Sequence, residues 1–242
     1  MIDAHCHIDL YPNPLQVARR CEQAGVVTLA MTNLPSHFAQ GRPHLQGFRK
    51  IRLALGLHPL HAPRHPAEYE LFKQNLALTS YVGEVGLDFG RDGVATKQQQ
   101  LQSFAFVLEQ VQGQKKLLSL HSRGAESEVL AMLVSAGIRL AIFHWYTGPV
   151  ATLKDISAHG YYFSVNPAMI RSEKGRQLIA SMPPEKVLTE TDGPYVQVGN
   201  RIAEPADVTT VINYLAAQWN LASEEVMLQI QSNFASLING LK

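Results

Sequence analysis

Cysteine is scarce in this 242-residue chain: Cys6 and Cys21 are the whole supply. Two thiols cannot build a disulfide framework, and no Cys-x-x-Cys pair offers a redox or zinc motif. They read as buried thiols of a reducing compartment. Charge of one sign is lacking too, since 21 Lys and Arg against 20 Asp and Glu leave a formal charge of +1. No excess of basic residues is available to hold nucleic acid along a stripe, so such a partner must be gripped locally, in a pocket. No run reaches the roughly 18 apolar residues of a membrane-spanning helix. The opening MIDAHCHIDLYP has no charged stretch leading into a long apolar one, as a signal peptide requires. A soluble cytoplasmic protein without membrane association is expected.

What the chain does have is hydrophobic residues, at 46% enough for a sizeable core. They are distributed in short β-rich runs that alternate with longer helical patterns. The strand candidates are Met1–His7, Val26–Thr32, Ile51–Leu57, Tyr81–Leu87, Leu117–His121, Arg139–His144, Tyr161–Val165 and Val187–Thr191. Most are dense in Val, Ile, Leu and Tyr, as strands covered on both faces are. Helical patterns occupy Leu15–Ala24, Ala67–Thr79, Thr96–Gln112, Ala125–Ala136, Val150–His159, Glu173–Met182, Asp207–Trp219 and Glu224–Asn239, with Ser223 as the N-cap of the last. The prolines and glycines of Pro35–Lys50 argue against a long helix there. Strands alternating with helices imply a parallel sheet with crossover helices, and eight such units in this length match a closed (β/α)₈ TIM barrel. No linker, charge block or repeat divides the chain, so residues 1–242 are expected to form one domain. An open doubly wound sheet is the alternative.

The residues able to do chemistry fall at the carboxyl ends of these strands, the face on which such barrels carry their active sites. His5 and His7 close the first strand, two apart and therefore on the same side of it, while Cys6 points elsewhere. His58 follows the third strand in Gly56-Leu57-His58-Pro59, in a loop that also holds His61 and His65. Glu84 lies within the fourth, where an unpaired carboxylate is costly unless a metal or a cation holds it. His121 ends the fifth and is followed by Ser122-Arg123. His144 ends the sixth and is followed by Trp145-Tyr146. Asp192 ends the eighth, and Glu190, two residues earlier, can support a ligand from behind. Asp88 reads as a loop or capping residue. Imidazole nitrogens mixed with carboxylate oxygens admit Mg²⁺, Mn²⁺ or Zn²⁺. Each residue alone has a bland reading as a core histidine or a turn cap; their recurrence at successive strand ends points to a metal-dependent hydrolase.

Together these segments resemble the TatD family of metal-dependent DNases, over residues 1 to about 205. The resemblance rests on His5-Cys6-His7-Ile8-Asp9, Gly56-Leu57-His58-Pro59, Gly83-Glu84-Val85-Gly86-Leu87-Asp88-Phe89, His121-Ser122-Arg123, His144 with Thr147-Gly148, and Glu190-Thr191-Asp192-Gly193-Pro194-Tyr195. It implies a metallo-dependent hydrolase barrel that cleaves phosphodiesters in DNA, often as an exonuclease on single strands or 3′ ends. It also implies two divalent metal ions. His5 and His7 would hold one, His121 and His144 the other, with Glu84 bridging and Asp192 coordinating and steering the attacking water. Glu84 and Asp192 are thus the catalytic carboxylates. His58, Arg123, Trp145, Tyr146 and Arg201 are the substrate-contact candidates, the arginines for phosphate and the aromatics for a base.

The chain departs from the family pattern at Gly124, where an acidic residue is usual, at Trp145-Tyr146, and at Arg201-Ile202-Ala203-Glu204-Pro205. These departures touch substrate binding and leave all six metal-ligand positions intact. Its details look closest to the TatD-like component of Qat anti-phage systems. That match implies antiviral defence and a protein partner encoded in the same operon. Two other readings stand beside the nuclease. One is a hydrolase of cyclic amides, esters or lactones, although many such barrels bridge their metals with lysine on the fourth strand, where this chain has Glu84. The other is a partner-dependent subunit of a defence complex.

Overall fold

The computed structural model describes residues 1–241. Eight β-strand positions form its inner layer. β1 (Ile2–Cys6), β2 (Val27–Ala30) and β3 (Ile51–Leu53) make one parallel sheet. β4 (Leu55–Leu57), β5 (Tyr81–Gly86), β6 (Leu117–His121), β7 (Ala141–His144), β8 (Tyr162–Val165) and β9 (Val187–Thr189) make a second, also parallel. β3 and β4 are one strand position interrupted at Ala54, whose N–H still donates to Ala30 O at 2.8 Å. Nearby, Glu84 N donates to Thr32 O at 3.2 Å and so carries the ladder past the break. At the opposite seam Thr189 Oγ1 donates to Ile2 O at 2.5 Å and Asp192 N to His5 O at 2.9 Å. Both seams are therefore bridged, and the two sheets close into a (β/α)₈ barrel.

The outer layer follows the chain order. It comprises α1 (Pro14–Ala24), α2 (Pro35–Leu45), α3 (Tyr69–Leu76), α4 (Lys97–Val111), α5 (Glu126–Ser135), α6 (Val150–Ala158), α7 (Pro167–Arg171), α8 (Glu173–Ala180), α9 (Val208–Trp219) and α10 (Ser223–Asn239). The strands are buried on both faces because helices cover the outside and side chains fill the inside. None of the helices among the described residues is long and apolar enough to cross a membrane.

The structure corrects several local expectations. α2 forms despite its proline: Pro35 sits in the first turn, where an N–H has no partner to lose, and Phe38 and Leu45 are buried. The helix ends at Leu45, two residues after Pro43. Ser223 is the first helical residue of α10 and not its cap; Glu225 caps instead, accepting Ala222 N at 2.7 Å. A small antiparallel hairpin, β10 (Gln197–Val198) with β11 (Arg201–Ile202), follows Asp192 where no strand is expected.

One glycine fixes the register that matters most. Gly86 has φ +133°, and a Cβ there would lie 2.0 Å from His121 O. Only glycine lets β5 approach β6 this closely. The approach pairs Gly86 with His121 across the two strands, and Glu84, two residues earlier on β5, reaches the His121 ring with its side chain.

Candidate metal centre

Side chains on alternate strand positions point into the barrel mouth, and here five imidazoles converge on one carboxylate. Glu84 is 2% exposed. Its Oε2 lies 3.1 Å from His7 Nε2, 3.4 Å from His5 Nε2 and 3.3 Å from His58 Nε2. Its Oε1 lies 2.5 Å from His121 Nδ1 and 2.9 Å from His144 Nε2. The β1 pair of histidines thus faces one oxygen, and the β6 and β7 histidines face the other. Asp192 Oδ1 stands 3.8 Å from His5 Nε2 and 4.0 Å from His7 Nε2, held by a backbone at φ +51°.

These residues fit divalent cations better than they fit one another. His5 Nε2 and His7 Nε2 face each other at 3.3 Å. A carboxylate offers about four lone-pair sites, fewer than five rings can each use well. Among the described residues, His7 Nδ1 and His144 Nδ1 are buried without a hydrogen bond. Ligand atoms of His5, His7 and Glu84 fall within 4.8 Å of one another, as do those of His5, His144 and Asp192. His58, Glu84 and His121 meet the same distance test. However, His58 Nδ1 accepts Leu60 N at 3.2 Å, so in the neutral ring Nε2 carries the proton and is a donor, not a lone pair.

The electrostatics agree with a site built for cations. Burial alone would raise Glu84, but His58, His144 and His121 around it hold it well below the carboxylate range. Burial would likewise lower His144, yet Glu84 and Glu190 push it well above the usual imidazole value. His121 is raised against its burial by Glu84 and Asp88. Burial, helped by neighbouring His144, keeps His5 well below that value and therefore neutral. Asp192 is raised well above the carboxylate range by burial; His144 opposes this, while Glu190 and Glu84 add to it.

Partners behind the rings fix their orientation. Ser119 Oγ meets His5 Nδ1 at 2.8 Å. Glu190 Oε1 stands 3.6 Å from His144 Nδ1, while that carboxylate also accepts Trp145 N, Asn166 Nδ2 and Ser164 Oγ. Asp88 is more than a cap: Oδ1 accepts Gly90 N at 2.8 Å, and Oδ2 holds His121 Nε2 at 2.8 Å. Asp3, unremarked in the sequence, accepts His5 N, Thr191 N and Thr191 Oγ1, tying β1 to the segment that carries Asp192. A charged residue two positions before His5 inside a buried run was its available signal. Asp88→Asn is expected to weaken cation binding about 10- to 100-fold. Titrating metal-stripped protein with Mn²⁺ checks this, and unaltered affinity would leave Asp88 as a loop cap alone.

The remaining candidates divide. Arg123 is exposed on the loop after β6. Trp145 is half-buried against the core, with backbone φ +38°. Tyr146 is corrected: it is 0% exposed, packs edge-on against Phe163 and donates its hydroxyl to Pro149 O, so its ring cannot stack on a base. Arg201 is corrected as a phosphate clamp: its guanidinium grips Asp207 with two bonds of 2.5 and 2.6 Å. The aromatic ring presented beside the site is Tyr195, 58% exposed and edge-on to His7 at 5.3 Å. His65 is buried and bonds His58 O at 3.1 Å, supporting that loop from behind.

Known proteins resemble this chain in sequence and in fold. Human deoxyribonuclease TATDN3 is 27% identical over 270 residues, covering 100% of this chain and 96% of its own. The uncharacterized metal-dependent hydrolase YjjV of Escherichia coli K12 is 28% identical over 260 residues, covering 98% and 97%. The crystal structure of YjjV, a TatD homologue, has the same fold, with a TM-score of 0.87 at 24% identity over 100% of this chain and 97% of that one. The family model described as TatD related DNase matches residues 2–239, and the chain belongs to that family of metal-dependent hydrolases.

Proposed function

We propose that this protein is a deoxyribonuclease that cleaves phosphodiesters, preferentially in single-stranded DNA or at 3′ ends, with two divalent cations. The observation that carries the reading is the division of Glu84: Oε2 faces His5 and His7, and Oε1 faces His121 and His144. One carboxylate between two pairs of nitrogens suits a bridge between two ions. His5 and His7 would hold the first, His121 and His144 the second, with Asp192 completing the set. Bound there, such ions would lower the pKa of water, orient the phosphate and neutralise the leaving oxygen.

The protein's own groups do the rest. Asp192, buried at the mouth of the ring, orients the attacking water and accepts its proton. His58 directs Nε2–H into the same space and donates to a phosphate oxygen while neutral, since burial lowers its pKa against the pull of Glu84. Arg123 reaches a phosphate from the β6 side, where no carboxylate pairs with it among the described residues. Asp88 keeps His121 from turning through its hydrogen bond, and the Glu190 carboxylate faces His144 Nδ1 from behind.

The test is hydrolysis of end-labelled single-stranded DNA in Mg²⁺ or Mn²⁺, with duplex DNA, RNA and a nitrophenyl ester in parallel. Cleavage of the single strand, abolished by chelator and restored by added cation, is expected. Ester cleavage with inert DNA would replace this reading with the amide and ester hydrolase. The resemblance to the Qat component extends the proposal to antiviral defence, with a partner protein on the outer helices. Loss of phage resistance in an operon carrying Glu84→Ala is the expected result.

A further inference from the structure

Basic residues around the barrel mouth differ in their partners. On the β9 side Arg20 pairs with Glu204 at 2.7 Å and Arg201 with Asp207 at 2.5 Å, while Arg171 donates to Gln197 O. The β5–β6 side holds two more. Arg123 and Lys97 are both exposed and make no ion pair among the described residues.

An aromatic residue touches both, one through its backbone and the other through its ring. Phe89 is half-buried, its N–H bonded to Arg123 O at 2.8 Å, and Lys97 Nζ lies over its ring at 4.3 Å from the centroid. Phe89 is also the residue after Asp88, whose carboxylate holds His121. Platform and candidate metal centre are therefore rigidly joined through one residue.

A half-buried aromatic flanked by unpaired cations is what binds single-stranded nucleic acid without reading its sequence: bases stack on the ring and cations follow the phosphates. We infer that the DNA strand leaves the imidazole ring across the β5–α4 and β6–α5 loops, with one flanking base stacked on Phe89 and its phosphates held by Arg123 and Lys97. A cation–π contact at an exposed site is weaker than base stacking. The incoming base therefore displaces the Lys97 ammonium from the ring, and its flexible stem lets it reach a phosphate. This inference rests on the phosphodiesterase reading.

The experiment compares kcat/KM on a 12-mer single strand with kcat/KM on the nitrophenyl ester of thymidine monophosphate, which carries no flanking base. Wild type is expected to favour the 12-mer. In Phe89→Ala that ratio falls ~10-fold, and Phe89→Trp restores it. In Lys97→Ala the salt dependence of oligonucleotide affinity, read by fluorescence anisotropy, loses about 0.7 of its logarithmic slope. Arg20→Ala, on the opposite rim, leaves both readouts unchanged, and melting curves confirm that each variant is folded. An unaltered ratio in folded Phe89→Ala, with an unaltered slope in Lys97→Ala, overturns the track while leaving the nuclease intact. A wild type that cleaves neither substrate overturns the phosphodiesterase reading and the track together.

Discussion

Replacing Glu84 with alanine is expected to abolish hydrolysis and to strip the protein of bound cation in the same step. The carboxylate touches His5, His7, His58, His121 and His144, so its removal takes a contact from both halves of the site at once. Losing several kcal/mol of charge stabilisation in the transition state corresponds to at least a ~1,000-fold fall in kcat/KM. Glu84→Gln keeps the volume and one carbonyl oxygen but not the charge, and is expected to fail nearly as badly. The measurement pairs metal content by mass spectrometry with activity. Full metal occupancy in Glu84→Ala would refute the bridging role. Unchanged activity would remove the site from the chemistry altogether.

Asp192→Asn is expected to separate binding from chemistry. Asparagine matches the shape and preserves the Asp192 N–H to His5 O bond, because that bond belongs to the backbone. Four ligating imidazoles and Glu84 remain, so cations should still bind. The side chain can no longer take a proton from water, and general-base assistance is worth roughly 100- to 10,000-fold. The expected signature is therefore a kcat lower by that factor at nearly unchanged metal stoichiometry and KM. Parallel loss of metal and rate would instead make Asp192 a ligand without a base's role.

The site could be read from the sequence to the extent that strand periodicity determines direction. Alternation along β1 places His5 and His7 on one side, and both reach the same oxygen of Glu84. A carboxylate within a buried strand announces itself, because leaving it unpaired is too costly. Glu190 was legible for the same reason. Groups whose partners lie on another strand were less so. Asp88 reads as a cap because its partner His121 is 33 positions away. Ser119 looks like an ordinary strand serine until His5, 114 residues distant, is placed beside it.

The exposed candidates fared worse, for a different reason. Tyr146 follows a histidine at a strand end and resembles a rim residue, but the turn after β7 sends its ring into the core against Phe163. Arg201 looks like a free cation, but its pairing with Asp207 depends on how the chain turns after β11. Which way a loop side chain faces follows from packing, not from periodicity.

By itself, the sequence determined the alternation of strands and helices, the strand ends at which chemistry-bearing residues fall, and a ligand set mixing nitrogen with oxygen. These follow from local periodicity and from the cost of burying charge. Only the tertiary structure decided that Glu84 divides its oxygens between two pairs of histidines, that His58 presents a proton and not a lone pair, and that Lys97 lies over the Phe89 ring. Each of these depends on the closure of the barrel, which brings residues from distant strands within a few ångströms of one another.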